Sequence, residues 1–226
     1  MKKYEYKMVN INNLYPDPEN YRFDPVNDEN EAILNMVNEI TDKIYVLAKS
    51  ILENNGLDPS ILPNIIPYSE KKDKYIVIEG NRRITAIKII KNIELINTSP
   101  HYQKFKTLIS KYDTSQLSDD YFCTYYPQKT DAEFWIYLRH SGELKGEGLV
   151  PWDALSTQRF KVATGQEKAS IAYCVNNYLK NNYGLSLPPK TSTTLKRILD
   201  STPGKLYYGL DVRDNDLVFN HDEGTT

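Results

Sequence analysis

The sequence predicts an α/β chain of the α+β type, with a small mixed sheet packed against helices and a mainly helical C-terminal part. Short runs of β-branched and aromatic residues alternate with helical repeats in the first half of the chain. A strand-like run, a glycine and a helix-like run follow one another directly at residues 75–91. After residue 166 helical periodicity dominates. Together these patterns are typical of the α+β class.

The composition is that of an ordinary globular protein. The chain has 226 residues, 40% hydrophobic and 26% charged, which fits one large domain or two small ones. The net charge of -2 gives no global basic field for nucleic acid, although a basic patch can be local. No apolar run follows the first lysines, and none approaches about 18 residues, so neither a signal peptide nor a membrane span is predicted. Two cysteines without metal spacing fit a reducing compartment, so we expect a cytoplasmic protein.

The first 56 residues predict a strand, an irregular segment and a long helix. Residues 4–11 alternate loosely between apolar and polar positions, which is typical of a strand. Residues 12–28 are rich in Asn, Asp and Pro, so we expect them to be irregular. Residues 30–54 repeat apolar side chains at three- and four-residue steps, which predicts one helix or two helices broken near Thr41. Asn55-Gly56 is a helix-ending pair.

A hairpin and a helix are predicted next. Residues 64–68 and 75–78 are β-branched runs separated by a polar turn, which indicates two adjacent strands. Residues 82–91 then carry apolar side chains on a helical repeat. The polar segment that follows is expected to contain a helix at 102–111 and a strand at 121–126.

The last hundred residues are predicted to be mainly helical. Asp131 can cap a helix that ends near His140, and a glycine-rich loop follows it. Residues 166–182 and 191–200 are predicted helices. Residues 207–226 are acidic and polar and predict no closing element, so we expect the chain to be part of a longer protein.

The junction Glu79-Gly80-Asn81-Arg82-Arg83 has the chemistry of a phosphate site. The first N–H groups of a helix have no internal partner and the helix dipole is positive there, so anions bind at that end. Gly80 would let the backbone approach a phosphate, and Asn81 can cap the helix or reach a ligand. The guanidinium groups of Arg82 and Arg83 have the planar donors that fork onto phosphate oxygens. Cations at a helix N-terminus oppose the dipole unless an anion is present, which favours binding over a plain solvated arginine pair.

Glu79 has two interpretations that the sequence leaves open. It is the best candidate for a catalytic acid or base, because it lies one residue from the predicted phosphate site. A carboxylate at a strand end also pairs readily with the neighbouring arginines. The acidic residues Asp17, Glu19 and Asp24 could hold Mg²⁺, although loops rich in Asp are mostly solvated.

The ordered motifs over residues 5–95 resemble the ParB/sulfiredoxin superfamily. ParB-type partition proteins show a helix ending in Gly, a loop with Pro, a strand, and a Gly-Glu-Arg-Arg box that opens a helix. The corresponding features here are Asn55-Gly56, Pro63, residues 75–78 and Gly80-Asn81-Arg82-Arg83. The chain is similar to the branch whose box reads Gly-Asn-Arg-Arg, and Asn20-Tyr21-Arg22 resembles that family's segment before the first helix. The resemblance implies a nucleotide pocket that includes the box residues together with Asn20 and Arg22.

A second segment, Arg139-His140, lies where the resemblance implies another nucleotide contact. Partition proteins have Glu-Asn-x-x-Arg there, and the Glu-Asn pair helps to bind Mg²⁺. That pair is missing here, so the metal role does not carry over. Arg139 and His140 are alternatively a favourable cationic end to a helix. Asn81 stands where sulfiredoxins have a cysteine, so sulfinic acid reduction is not expected.

The C-terminal third is consistent with a helix-turn-helix pair that binds DNA. Lys190, Thr191, Lys196 and Arg197 would contact phosphates, and a helical DNA-reading domain follows the nucleotide domain in partition proteins. The spacer at 181–189 is long for the usual turn, so a small helical subdomain is the alternative.

We therefore divide the chain into a nucleotide-binding core at 1–98, a connecting part at 99–165 that completes the pocket, and a helical segment at 166–226. The leading hypothesis is an NTPase switch that binds ATP or CTP and is associated with DNA in a prokaryotic mobile-element or defence context. Mg²⁺, a protein partner and a homodimer are left open. The alternatives on the same fold are a small-molecule phosphotransferase, as in a free-serine kinase, and a nuclease.

Overall fold

The computed structural model describes residues 4–20, 25–26, 28–69, 71–185 and 187–220. The chain forms two compact units, Met1–Ser141 and Gly142–Thr226. A mixed sheet with helices fills the first unit, and helices dominate the second. The predicted α+β class is confirmed. Among the described residues, no helix combines the length and the apolar character needed to cross a bilayer.

The sheet of the first unit has five strands in the order β1-β5-β3-β4-β2. Their bounds are Glu5–Asn10 for β1, Leu14–Pro16 for β2, Asn64–Pro67 for β3, Tyr75–Glu79 for β4 and Asp120–Tyr125 for β5. The β1–β5 and β3–β4 pairs are antiparallel, whereas the β3–β5 and β2–β4 pairs are parallel. Because β2 and β4 run parallel, their C-terminal ends lie side by side, and α3 begins at that end of the sheet.

Strand β2 corrects the expectation that residues 12–28 are irregular throughout. Leu14 is fully buried and anchors the strand in the core. Pro16 cannot donate to a ladder, but β2 is an edge strand, where proline is tolerated. The Asn-, Asp- and Pro-rich composition therefore concealed a short strand whose pairing depends on β4.

The helices of the first unit follow the predicted periodicity closely. Their bounds are Glu29–Glu39 for α1, Thr41–Asn54 for α2, Asn81–Lys91 for α3, Tyr102–Ile109 for α4 and Thr130–His140 for α5. The predicted break near Thr41 is confirmed, because Ile40 leaves the helical conformation between α1 and α2. Asn55 ends α2 in the left-handed region at φ 51°, as the Asn-Gly pair predicts.

The sheet packs on helices on both faces. Val77 and its same-face neighbours join buried side chains of α1, α2, α3 and α4 in the larger core. Ile78 points to the opposite face, where it meets Tyr126, Ala132 and the half-buried Ile136. Helix α5 therefore lies on the face opposite α3, and the two helices approach the same end of β4 from different sides.

The second unit consists of helices and a terminal hairpin. The bounds are Ala154–Ala163 for α6, Ile171–Tyr183 for α7, Pro189–Leu199 for α8, Thr202–Tyr208 for α9, Leu210–Arg213 for β6 and Asp216–Phe219 for β7. The helix predicted from residue 166 begins later, because Ser170 caps it by accepting from the N–H of Tyr173. The expectation of no closing element is wrong: β6 and β7 pair antiparallel.

Candidate anion-binding site

The turn between β4 and α3 requires glycine for two reasons. Gly80 has φ 94°, in the left-handed region that glycine enters without strain. A Cβ there would also lie 2.8 Å from Nη2 of Arg83 and 3.3 Å from Cα of Pro63. The space that a side chain at position 80 would need is therefore filled by the Arg83 guanidinium and the backbone of Pro63.

Arg83 is held by the protein rather than open to a cleft. Its side chain is 14% exposed, Nη1 donates to the carbonyl of Ile61, and Nη2 lies 3.8 Å from Oε1 of Glu79. Its backbone N–H donates to the carbonyl of Gly80 at 2.9 Å, so this N–H is not one of the helix-start donors that lack an internal partner. Arg83 thus fixes the loop around Ile61 to the start of α3.

Arg82 has the opposite surroundings. Its side chain is exposed and makes no hydrogen bond or ion pair with the residues that the structure describes. The backbone N–H groups of Asn81 and Arg82 likewise have no acceptor within the described part of the chain, which agrees with their place in the first turn of α3. These groups are the donors that remain available to a ligand at this helix end.

Asn81 connects the helix to the loop after β2. It is 6% exposed, and its Oδ1 accepts from the N–H of Asp17 at 2.8 Å. The N–H of Asn20 donates to the carbonyl of Asp17 at 3.2 Å, so Asn20 lies in the same short loop. Arg22, the other predicted residue of that segment, lies outside the described residues.

The C-terminal end of α5 meets the glycine turn. His140 Nε2 and Glu79 Oε2 are 2.8 Å apart, although the two residues are 61 positions apart in sequence. Glu79 therefore contacts both Arg83 and His140, which agrees with the interpretation of a pairing carboxylate. Its acid–base role stays a prediction. Arg139 is half-buried, and its Nη1 is buried without a hydrogen-bond partner in the described part of the chain.

Positive charge exceeds negative charge in this cluster. Burial holds the pKa of Arg83 below its ordinary value. The positive charges of Arg139 and Arg82 act in the same direction, while Glu79 and Asp58 oppose them. Two carboxylates, Glu79 and Asp58, thus stand near three arginines and a histidine. An added anion would reduce the repulsion among these cations, and phosphate oxygens would satisfy donors that protein groups leave open.

Two of the acidic residues considered for Mg²⁺, Asp17 and Glu19, lie close to a lysine ammonium group. Lys129 Nζ lies 3.5 Å from Oδ2 of Asp17 and 3.6 Å from Oε2 of Glu19. Asp24 lies outside the described residues. Over the residues that the structure describes, no group of three or more His, Cys, Asp or Glu side chains is arranged to hold a metal ion.

The predicted DNA-binding residues lie in the second unit on α8. Lys196 and Arg197 are exposed, whereas the side chains of Lys190 and Thr191 lie outside the described part. Lys196 also lines a cavity of about 260 Å³ together with Trp152, Lys161 and Glu167.

The sequence does not indicate three features of the site. The Glu79–His140 contact joins distant segments, so no local pattern indicates it. The carbonyl of Ile61 holds Arg83 through its backbone, which leaves no signature in the side-chain sequence. Pro63 was noted only as a loop residue, although its Cα restricts the space above Gly80.

No family model matches the sequence, and no curated protein matches it. Among solved structures, the chain is similar to the C-terminally truncated chromosome-partitioning protein ParB from Caulobacter crescentus complexed with CTP-gamma-S. The two share 12% identity, the match covers 90% of this chain and 83% of that chain, and the TM-score is 0.39. A likeness at this level assigns neither fold nor function, so the functional proposal depends on this chain's own residues.

Proposed function

We propose that the first unit binds the triphosphate of a nucleotide, ATP or CTP, between the start of α3 and the end of α5. The observation that carries the proposal is the Nη1 of Arg139, a buried donor without a described partner in a cluster with excess positive charge. Leaving a buried charged donor unpaired costs about 1–3 kcal/mol or more, which an anionic ligand would recover. The resemblance of the Gly80-Asn81-Arg82-Arg83 box to the ParB/sulfiredoxin superfamily points to the same ligand class.

The available donors suit phosphate oxygens. Arg82 is exposed and unpaired among the described residues, and the N–H groups of Asn81 and Arg82 extend the donor set along the helix start. Arg83 holds the turn that carries these donors, because its side chain is fixed by contacts with Glu79 and the Ile61 carbonyl. Arg82 and Arg139 are therefore the proposed phosphate-contacting arginines, and Arg83 positions the turn.

The Glu79–His140 pair favours turnover of the nucleotide over binding alone. In the proposed reaction, a water oxygen forms a bond to the terminal phosphorus, the bond from that phosphorus to the bridging oxygen breaks, and the nucleoside diphosphate leaves. The proton of the attacking water passes to Glu79 or His140. The two side chains are 2.8 Å apart, and each is adjacent in sequence to a residue of the proposed phosphate site. Mg²⁺ would accompany the phosphates and neutralise part of their charge.

The same pair also suits transfer to a small hydroxyl compound, which is the second candidate. A hydroxyl would then replace water as the nucleophile, and the proton acceptor would be the same. A switch is distinguished from a kinase by its activator: DNA should change the hydrolysis rate of a switch, whereas a kinase should respond to a hydroxyl substrate. The exposed Lys196 and Arg197 on α8 support the DNA-associated switch as the leading proposal.

The test is a thermal-shift screen of ATP, CTP, GTP and UTP with Mg²⁺. A nucleotide present at about 100 times its Kd should add roughly 2.7 kcal/mol to the free energy of unfolding. Arg139→Ala should abolish the shift, and Arg159→Ala, an exposed arginine on α6, is the matched control that should retain it. Absence of a shift with all four nucleotides would overturn the proposal.

A further inference from the structure

In the part of the chain that the structure describes, strand β1 is an edge of the sheet. Within the described residues β1 pairs only with β5, in a continuous register without a bulge or proline. The opposite edge, β2, is three residues long and contains Pro16, which are the usual devices against edge pairing. By contrast, β1 is six residues long and contains no proline, so its length and backbone allow another strand to pair with it.

The hydrogen bond of Ile11, the residue directly after β1, shows which backbone groups of β1 face β5. The N–H of Ile11 donates to the carbonyl of Asp119, which lies directly opposite in the β1–β5 register. Bonds to β5 therefore come from alternate residues, Glu5, Lys7 and Val9. The backbone groups of Tyr6 and Met8 point away from the sheet, and they have no backbone partner in the described part of the chain.

The side chains on one face of this edge are apolar and exposed. Tyr6 is 64% exposed and Met8 54%, and Phe122, directly opposite Met8 on β5, is 57% exposed. On the other face, Glu5 and Lys7 carry opposite charges 2.9 Å apart. The edge thus combines open backbone groups, an apolar strip and one charge of each sign.

We propose that β1 pairs antiparallel with β1 of a second copy of this chain, with the two-fold axis at Tyr6. This register places Tyr6 opposite itself and Tyr4 opposite Met8, so all the paired backbone groups are ones that point outward. It also places Glu5 opposite Lys7 of the partner subunit, twice by symmetry. The two sheets become one continuous sheet, and an isologous interface of this kind is closed.

The charges select this register over its neighbours. A two-fold axis at Lys7 would place two lysines directly opposite each other, and an axis at Glu5 would do the same for two glutamates. An axis at Met8 leaves Lys7 opposite Val9. Registers shifted by a single residue pair outward backbone groups with inward ones, so they form no ladder. Among axes within the described strand Glu5–Asn10, the Tyr6 axis alone gives opposite charges across the strands, which stabilise a cross-strand pair.

The test is sedimentation of the full chain over a dilution series, together with charge variants. Wild type should show a concentration-dependent dimer. Glu5→Lys places like charges opposite each other at two positions and should weaken the dimer by about tenfold or more. The double variant Glu5→Lys with Lys7→Glu restores opposite pairs and should restore the dimer. A wild type that stays monomeric, or a dimer unaffected by Glu5→Lys, would overturn the proposal.

Disulfide formation distinguishes this register from any other contact through the same strip. Cα atoms of a hydrogen-bonded pair lie about 5.5 Å apart, so Tyr6→Cys should form a disulfide-linked dimer on oxidation. Met8→Cys is the matched control on the same exposed face. Its two copies would be separated by four residues, roughly 14 Å, and should not link. The native cysteines are buried and do not compete. Equal linking by both variants would contradict the Tyr6 axis.

Discussion

Arg82 and Arg83 are adjacent in sequence but have different surroundings, so their removal should have different effects. Arg82→Ala removes an exposed guanidinium that has no described partner. Since a charge-assisted hydrogen bond contributes on the order of 1.5–3 kcal/mol, nucleotide affinity should fall roughly ten- to a hundredfold while the melting temperature stays unchanged. Arg83→Ala should lower both, because it also removes the contacts of Arg83 with the Ile61 carbonyl and with Glu79.

Calorimetric titration and thermal melting of the two variants separate these effects. Arg159→Ala again serves as the control for loss of one exposed arginine. If Arg83→Ala melted like wild type while Arg82→Ala kept full affinity, the assignment of the two arginines would be wrong.

Glu79→Gln tests whether the Glu79–His140 pair acts as a proton acceptor. The amide retains an oxygen that can accept from His140 but loses the negative charge, so triphosphate binding should persist or become tighter. General base catalysis contributes about 10²–10⁴-fold, so turnover should fall by at least about a hundredfold. Binding is measured by titration and turnover by release of phosphate. Undiminished turnover would leave Glu79 as a pairing residue for Arg83 and His140 only.

Cys123 should make the stability of the first unit depend on pH in the alkaline range. Burial raises the pKa of the Cys123 thiol to about 12, and the charge of Arg83 opposes this only partly. An unfolded thiol titrates near 8.5, so the folded state holds the proton to a higher pH than the unfolded state does. The resulting stabilisation is complete below about pH 8.5 and is lost as pH rises toward 12.

Cys123→Ala keeps a small apolar side chain and removes this titration. Urea unfolding at several alkaline pH values should therefore show a shallower fall of the unfolding free energy in Cys123→Ala than in wild type. Tyr121, whose pKa burial also raises to about 12, titrates in both proteins and cancels in the comparison. Identical slopes would show that the thiol is not protected in the folded state.

Among the helices and strands, the sequence predicts those that depend on local residue patterns. The turn from β4 to α3 and the helix α5 were predicted because apolar periodicity and a glycine mark them directly. The hairpin of β6 and β7 was missed, although Asp214 and Asn215 have φ 52° and 68°, the conformation of a tight hairpin turn. An Asp-Asn turn between apolar alternations was the signal that could have found it.

The sequence predicts only the part of the candidate site that lies in one continuous segment. The Gly80-Asn81-Arg82-Arg83 box indicates an anion site through its own residue types. Its contact with α5 depends on how a helix packs across the sheet, and this is set by long-range burial of Ala132 and Ile136 against Ile78. The same holds for β2, whose pairing with β4 depends on buried Leu14 rather than on strand propensity.

The predicted DNA-binding residues lie on helix α8. The triple variant Lys190→Ala, Lys196→Ala, Arg197→Ala should weaken DNA binding and reduce the salt dependence, because each lost phosphate contact lowers the slope against log salt by about 1. The control triple, Lys104→Ala, Lys106→Ala, Lys111→Ala, removes equal charge from the region of α4 in the first unit. Fluorescence anisotropy at several salt concentrations measures both. Equal affinities for wild type and the α8 variant would remove DNA from the proposal.

For the whole molecule, every residue that the structure brings to the anion site lies in the first unit. Glu79, Arg82 and Arg83 come from the β4–α3 turn, and Arg139 and His140 come from the end of α5, before the boundary at Ser141. The division at residue 98 that we expected for the nucleotide-binding core stays a prediction, and it assigns α5 to a separate connecting part. The two divisions lead to different expectations for fragments of the chain.

A fragment of residues 1–141 should fold and bind nucleotide with the affinity of the whole chain, because it retains the five strands and α5. A fragment of residues 1–98 should fail in both respects, since it lacks β5, which lies between β1 and β3, and it lacks Arg139. Circular dichroism establishes folding and calorimetric titration measures affinity. The control is 1–141 carrying Arg82→Ala, which should fold and bind nucleotide roughly ten- to a hundredfold more weakly. If folded 1–141 bound no nucleotide while the whole chain did, a group beyond Ser141 would belong to the site.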